Sequence, residues 1–424
     1  MTPILHLTLR SVRNRRLTAA LTLVSIALSV ALLLGVERLR NDARASFAST
    51  IAGTDLVVGA RSGPVQLLLY AVFRIGNATS NVRWQSIEAV RAHPAVKWVV
   101  PLSLGDSHRG FRVLGTDAGY FEHYRYGRGR PLAFAAGRAF SGTLDGVFEA
   151  AIGAEVAETL GYAVGSRIVV AHGAGEVSFA EHADKPFAVV GVLARTGTPV
   201  DRTVHVSLEA IEAIHLDWPG GAPLPGLAIA PEEVRKFDLR PRAVTAALVG
   251  LESRAAVLRV QRFVNEYRDE PLLAILPGAT LQELWSLVGV AERALLAVSA
   301  LVVAVGLAGL AAVMVASLGE RRRELAILRA LGASPREVFA LLAAEALLLA
   351  LAGCALGLLL LYAAVGTLSP RLESQWGLVV TLAPPSAREA LLLAAVVGAG
   401  LLASLVPGWR AYRLSLADGM TVRT

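Results

Sequence analysis

Four histidines and a carboxylate between them stand out as candidate metal ligands within 44 residues: His172, His182, Asp184, His205 and His215. Imidazoles and a carboxylate at that density are the raw material of a zinc site. Their spacings match no compact ligand motif, and histidines serve as often as hydrogen-bonded core or surface groups. The expectation is therefore no metal, with these five as the candidate ligands should a site form. Serine, histidine and aspartate are all present outside the apolar runs, but no G-x-S-x-G elbow presents a nucleophile. The chain reads as non-catalytic. No G-x-x-x-x-G-K-[ST] loop occurs, since none of Lys97, Lys185 and Lys236 follows a glycine, so any nucleotide must be bound by another protein. The single cysteine, Cys354, excludes an intramolecular disulfide.

A second concentration of functional groups is GERRRELAILRALGASPREV, residues 319–338, which separates two of the most apolar runs in the chain. Glu320–Leu331 is helix-compatible, with Leu325, Leu328 and Leu331 on one stripe and Arg321, Arg322 and Arg329 free to face polar surroundings. Gly332 stands where a left-handed residue ends a helix. Ser334, Pro335 and Glu337 then supply an N-cap, a first-turn proline and an N3 carboxylate. The pattern predicts a short helix, a tight turn and entry into the next apolar run. A basic helix lying on anionic lipid would account for the arginines. It would not account for the specified turn or for Glu324 among the arginines. Glu345 lies about 10 Å into the following run at about 1.5 Å per residue. A carboxylate at such depth is costly. Near the membrane face it is expected to pair with a basic group, a structural rather than a transporting role.

Four apolar runs must position these groups. Leu17–Val36, Ala294–Leu318 and Ala390–Trp409 carry no charge, and Val338–Leu368 carries only Glu345. Each reaches the roughly 20 residues that a spanning helix needs. The first is too long for a signal-peptide core and lacks a small-x-small cleavage site, so it reads as an uncleaved anchor. The formal net charge is +7, yet residues 37–293 carry 27 positive and 27 negative side chains. The excess lies in 1–16, in 319–337 and after Trp409. By the positive-inside rule both termini and 319–337 are cytoplasmic, leaving 37–293 and 369–389 on the other side. The basic balance is thus accounted for by topology, and no nucleic-acid partner is expected.

Residues 37–293 are long enough to hold a core of their own. Strand-like runs include Lys97–Leu102, Arg167–Ala171 and Phe187–Leu193. Helical stretches include Gly153–Leu160, Leu208–Ile214 and Val257–Arg268, and residues 218–226 read as a loop. Thr280 and Glu283 fit a capping box, after which no proline interrupts the chain as far as Glu320. Helical stalks over about 37–50 and 280–293 are therefore expected to carry the domain. The apolar run 63–76 reads either as core or as a surface that meets lipid or a hydrophobic cargo, and its place beside the first stalk favours the surface. The organisation predicted is a cytoplasmic segment (1–16), a span (17–36), the large domain with its stalks (37–293), a span (294–318), a cytoplasmic helix (319–337), a span (338–368), a short loop (369–389), a span (390–409) and a cytoplasmic tail (410–424).

The stretch ERRRELAILRALGASPREVFALLAAEALLLALAGCALG resembles the signature of the MacB/FtsX family of ABC-transporter permeases. The family pattern is RRxEIxxLRALG, an AS turn, a glutamate in the next span and glycines beyond it. Arg322, Glu324, Leu328, Arg329, Gly332, Ala333, Ser334, Glu345, Gly353 and Gly357 fall on it. LAFAAGRAF (132–140), AAIGAEVAETLGYAVGSRIVV (150–170) and FAVVGVLARTGTPVD (187–201) are similar to recurring elements of the MacB-type periplasmic domain. PGWRAYRLSLADGM resembles the family's C-terminal motif, with Leu416 at a proline position and Met420 as its final hydrophobic residue.

The resemblance implies an α-helical membrane protein with four transmembrane helices and a large mixed α/β extracytoplasmic domain on helical stalks. It implies that 320–331 is a coupling helix, with Arg321, Arg322, Glu324, Leu325, Leu328, Arg329, Gly332, Ala333 and Ser334 docking into a separate cytoplasmic ABC ATPase. Two ATPase copies would bind ATP and Mg, none being held by this chain, and a second permease, identical or related, would complete the assembly. This is the split, LolC/LolE-like arrangement of lipoprotein-release systems, in the bacterial inner membrane. Motion would pass to the periplasmic domain and extrude or release a lipoprotein, lipid or peptide, with a periplasmic lipoprotein or accessory protein as a further partner beside membrane lipids. Two other readings remain: an FtsX-like regulator of a cell-wall hydrolase, and a metal-handling or sensor module using the histidines.

Overall fold

A computed structural model of the chain describes residues 15–173, 180–218, 229–376 and 380–413. The chain divides into two compact units. One comprises residues 1–43, 289–372 and 380–424; the other comprises 44–288 with the segment 373–379.

The first unit is helical. Four helices are long and apolar enough to cross a membrane: Arg16–Ser49, Pro277–Ala330 and Pro335–Trp376, with a fourth beginning at Ala387. Hydroxyl groups within them bond back to carbonyls of their own helix, Thr22 to Thr18 at 2.9 Å, Ser29 to Ser25 at 2.8 Å and Ser299 to Leu295 at 2.9 Å. Donors in hydrocarbon are thereby satisfied without a partner helix. The second helix has 54 residues, about 80 Å at 1.5 Å per residue. It runs through Gly289 and Gly319 without a break, because an isolated glycine costs a helix only about 1 kcal/mol. Residues 320–330 are thus the last turns of this helix rather than the separate short helix expected. Its start also differs from the capping-box reading. Pro277 begins the helix one turn earlier, and the Thr280 N–H already bonds the Leu276 carbonyl. The fourth helix breaks at Ser404, between Ala387–Ala403 and Leu405–Arg413. Pro407 explains this, since it has no N–H to offer the Ala403 carbonyl and its ring crowds that group.

The second unit is α/β. In chain order its strands are β1 (Leu56–Ala60), β2 (Val82–Arg83), β3 (Val96–His108), β4 (Phe111–Thr116), β5 (Arg125–Tyr126), β6 (Arg130–Pro131), β7 (Phe134–Gly137), β8 (Glu149–Ile152), β9 (Arg167–Ile168), β10 (Ala171–His172), β11 (Ala180–Glu181), β12 (Phe187–Leu193), β13 (Thr203–Ser207), β14 (Ala243–Val244), β15 (Ala246–Leu251) and β16 (Leu272–Ile275). The principal sheet runs β16-β1-β15-β3-β4-β13-β8-β12-β7. It is mixed: β4–β13 and β8–β12 pair in parallel, and the remaining neighbours are antiparallel. The run Phe187–Leu193 is a strand as expected, with Phe187, Val189, Gly191 and Leu193 buried at the period-two spacing of a pleated strand. Strands β1, β13 and β15 are buried along their whole length, which requires packing on both sheet faces. Alternate residues of β15 supply it, Ala246 and Leu248 to one core and Ala247 and Val249 to another.

The expected helices form at Ala154–Leu160, Leu208–His215 and Val257–Asn265. The loop at 218–226 lies outside the described residues beyond Trp218. The apolar run 63–76 is not a contact surface. Pro64–Ala71 is a helix, and Leu67, Leu68, Tyr70, Ala71, Val72 and Phe73 are core residues beside Val57, Leu102 and Ile275. The sheet offers that run more apolar contact than any surface position would, and of its large apolar side chains Ile75, near the end, stays exposed.

Candidate functional site

The junction between the second and third helices is built from backbone hydrogen bonds that its sequence specifies. Gly332 has φ +97°, in the left-handed region that a side chain disfavours. Its N–H bonds the Arg329 carbonyl at 3.1 Å, and the Ala333 N–H bonds Leu328 at 3.0 Å. This is the Schellman arrangement, in which the reversed chain satisfies carbonyls that a helix end leaves open. The next helix starts at once. Glu337 accepts from the Ser334 N–H at 2.6 Å, and the Glu337 N–H reaches Ser334 Oγ at 3.4 Å. Leu328, placed by the sequence reading on the docking stripe, instead packs toward the helix bundle core of Leu318, Val338 and Leu342. Exposed apolar surface comes from Ile327 and from Leu331, which is 81% accessible. Ile327 was missed because it lies off the stripe. Arg329 is partly buried and engaged, while Ala333 and Ser334 lie in the turn. The side chains of Arg321, Arg322, Glu324 and Leu325 lie outside the described residues, though their backbone is helical. Beside the turn, Arg336, Phe339, Leu405 and Trp409 line a cleft of about 520 Å³.

Further into the bundle, Glu345 is buried and engaged. Gly353 and Gly357 form a small-xxx-small step on the third helix, against which the first helix lies closely. A methyl group at Gly353 would fall 2.5 Å from Ile26 Cγ2, and one at Gly357 would fall 2.7 Å from the Ala27 carbonyl oxygen. Such steps let helices associate in lipid, where apolar burial gives little driving force. The same two glycines fall on the family pattern, and here their role is close packing within one chain.

An ionic cluster joins the end of the first span to the start of the fourth, and the sequence reading missed it. Arg38 grips Glu389 through two bonds, Nε–Oε1 at 3.0 Å and Nη2–Oε2 at 3.1 Å, and also bonds the Ala383 carbonyl. Both side chains are almost inaccessible, 6% and 4%. Adjacent Glu37, fully buried, accepts from Arg40 and Asn41 and forms an ion pair with Arg388 at 3.0 Å. Ser386 and Glu389 close a capping box that fixes the carboxylate. The available signal was the complementary pair of dipeptides, Glu37-Arg38 and Arg388-Glu389, each abutting an apolar run.

In the large unit the five candidate ligands separate into three and two. His172, on β10, lies opposite Asp106 of β3 in the strand register. His182 follows β11, and His215 ends the helix Leu208–His215. These three imidazoles each offer a nitrogen within 4.8 Å of the others. Trp218 packs on the rings of His172 and His182. Burial, reinforced by the neighbouring imidazoles, lowers the His182 pKa to about 4. His205 lies elsewhere, fully buried on β13 with Nδ1 3.3 Å from the Ala151 carbonyl and its ring against Tyr120. Burial, together with the Arg74 charge, holds its pKa near 3. Asp184 turns to Lys185 at 2.5 Å, and this fully buried ammonium is also held by Asp217. His205 and Asp184 are therefore not ligands to the cluster. Asp106, 66 residues before His172 and invisible to spacing rules, takes the place of Asp184 beside it.

Two family models match the chain, the MacB-like periplasmic core domain over residues 19–235 and the FtsX-like permease C-terminal domain over 296–416. Among solved structures, the periplasmic region of MacB from Actinobacillus actinomycetemcomitans is 12% identical, covers 55% of this chain and 94% of its own, and has a TM-score of 0.35. The extracellular domain of the noncanonic ABC-type transporter YknZ from Gram-positive bacteria is 16% identical, covers 52% and 99%, and has a TM-score of 0.32. No curated protein matches. Four spans, a large α/β domain between the first and second of them, and a capped turn inside the C-terminal match fit one assignment: the chain belongs to the MacB/FtsX family of ABC-transporter permeases.

Proposed function

We propose that this permease couples ATP hydrolysis by a separate cytoplasmic ATPase to a conformational change in its large domain, releasing or extruding a lipoprotein, lipid or peptide. The observation that carries the reading is the junction at 327–337. A helix end and a helix start are locked to one another within eight residues, Ala330 to Glu337, and Ile327 and Leu331 are left as an exposed apolar edge. A rigid knob with an exposed apolar tip suits docking into a cleft, and a push on it is transmitted rather than absorbed. One continuous helix, Pro277–Ala330, links this turn through the second span to residues of the large domain. The excess of positive charge around 319–337 supports a cytoplasmic location for the turn, beside the ATPase. Two permeases and two ATPases in a two-fold assembly are the matching stoichiometry.

The test is co-purification from mild detergent of the tagged chain with the ATPase that accompanies it. Leu331→Glu places a charge on a side chain that is 81% accessible, so folding is spared. Loss of an interface anchor costs about 2 kcal/mol or more, roughly thirtyfold in affinity. The ATPase should elute with wild type and be lost from Leu331→Glu, while a conservative Leu331→Met retains it. Equal recovery with all three would remove the turn from the docking site.

A further inference from the structure

We infer that His172, His182 and His215 form a zinc site in the large domain, with Asp106 as the carboxylate that orients it. The inference is independent of the coupling proposed above. Each outer imidazole already has its second nitrogen committed. His172 Nδ1 lies 3.0 Å from Asp106 Oδ1, and His215 Nδ1 lies 2.5 Å from the Ile211 carbonyl. Carboxylate and carbonyl are acceptors only, so both Nδ1 atoms carry the proton and donate it. The Nε2 atoms are then the lone-pair nitrogens, the tautomer a metal requires. Ligating histidines almost always hand their other N–H to a carboxylate or a backbone carbonyl in this way.

His172 Nε2 lies 3.2 Å from His182 Nε2. Two nitrogens bound to zinc at about 2.0–2.1 Å in tetrahedral geometry stand about 3.4 Å apart. The third ring is close: its centroid is 4.6 Å from that of His172 and 5.4 Å from that of His182. His182 is fully buried, and its Nδ1 has no hydrogen-bond partner among the described residues. An unmet polar nitrogen in the interior is costly. His215 Nε2 lies 3.5 Å from His172 Nδ1, and all three imidazoles offer a nitrogen within 4.8 Å of the others, close enough to serve as a ligand set. Imidazole donors suit zinc and also copper and nickel. The site is within reach of an ion, because the side chains of His172 and His215 are 22% and 29% accessible. Trp218 covers the cluster and limits water around it. The ligands come from β10, from just after β11 and from the end of a helix, so one ion would tie together three segments.

The experiment uses the full chain in detergent, purified through a tag without histidines and stripped with chelator. Zinc is titrated calorimetrically, and cobalt is added separately for its visible ligand-field bands. The expected result is one zinc per chain and intense four-coordinate cobalt bands, both lost in the double variant His172→Gln/His215→Ala. Asp106→Asn should keep the stoichiometry and weaken affinity by about 10–100-fold. His93→Ala, a histidine outside the cluster, should bind as wild type does. A rise in the wild-type melting temperature with zinc that is absent from the double variant gives a reading independent of affinity. No zinc uptake by folded wild type, or uptake unchanged in the folded double variant, overturns the site and leaves the cluster as three hydrogen-bonded imidazoles.

Discussion

Replacing Gly357 by alanine tests the helix packing at atomic resolution. The added methyl would lie 2.7 Å from the Ala27 carbonyl oxygen and 2.8 Å from Val30 Cβ, where ordinary contact begins near 3.4 Å. The obstacle at Ala27 is backbone, so no rotamer relieves it, and the first and third helices must part by about 0.7 Å. Overpacking of this kind costs about 1–3 kcal/mol. Alanine in place of glycine also favours a helix by about 1 kcal/mol, which would mask part of the loss. Gly366, on the same helix with nothing within 4 Å, provides the correction. Gly366→Ala receives the helical gain alone, so the difference between the two variants isolates the clash. The assay is thermal unfolding of the detergent-solubilised chain. Gly357→Ala should melt several degrees below Gly366→Ala, the gap corresponding to about 1–3 kcal/mol. Gly353→Ala, whose methyl would fall 2.5 Å from Ile26 Cγ2 and 2.8 Å from Ile26 Cβ, should be rescued by Ile26→Gly and only in part by Ile26→Ala, which keeps the Cβ. If Gly357→Ala and Gly366→Ala melt together, the close approach of these helices is wrong.

Other expectations follow from the same packing. Glu389→Gln leaves the Arg38 guanidinium buried without its counter-charge and should destabilise the chain by about 3–5 kcal/mol, whereas Arg38→Met/Glu389→Leu together should recover most of it, as read from melting temperatures of the single and double variants. His205 has its pKa depressed to about 3, below the roughly 6.5 of an unfolded histidine, so its neutral form contributes stability above pH 6.5 that is lost as pH falls toward 3. At pH 5 the loss is about 2 kcal/mol. Asp117, raised to about 6 by burial, has the opposite sign, so the measurement is the pH dependence of wild type minus that of His205→Leu. A variant that loses as much stability as wild type between pH 7 and pH 5 would contradict the buried, neutral His205.

Local patterns were legible wherever the physics is local. The Gly332 cap, the Ser334–Glu337 box and Pro335 act within one turn, and the turn forms as those residues specify. Phe187–Leu193 is a short apolar run rich in β-branched residues, and it is a strand. Boundaries were less legible. A helix continues until something stops it, so 320–330 joined the second span, and Pro277 moved that helix's start one turn earlier. Leu328 of the expected docking stripe packs against the bundle, because a helical stripe says which residues are neighbours, not which side meets the bundle.

The sequence by itself determined the four spans, the charge asymmetry between their ends, the capped turn and the family, because each depends on residues within a few positions of one another. Tertiary structure alone decided the rest. It sent the apolar run 63–76 into the core, since the sheet offered more apolar contact than any surface. It set Glu37 and Arg38 against Arg388 and Glu389, some 350 residues away, because those helix ends meet. It drew His172, His182 and His215 together beside Asp106 while burying His205 apart from them. Strand register and helix packing, which no spacing encodes, brought those side chains within reach of one another.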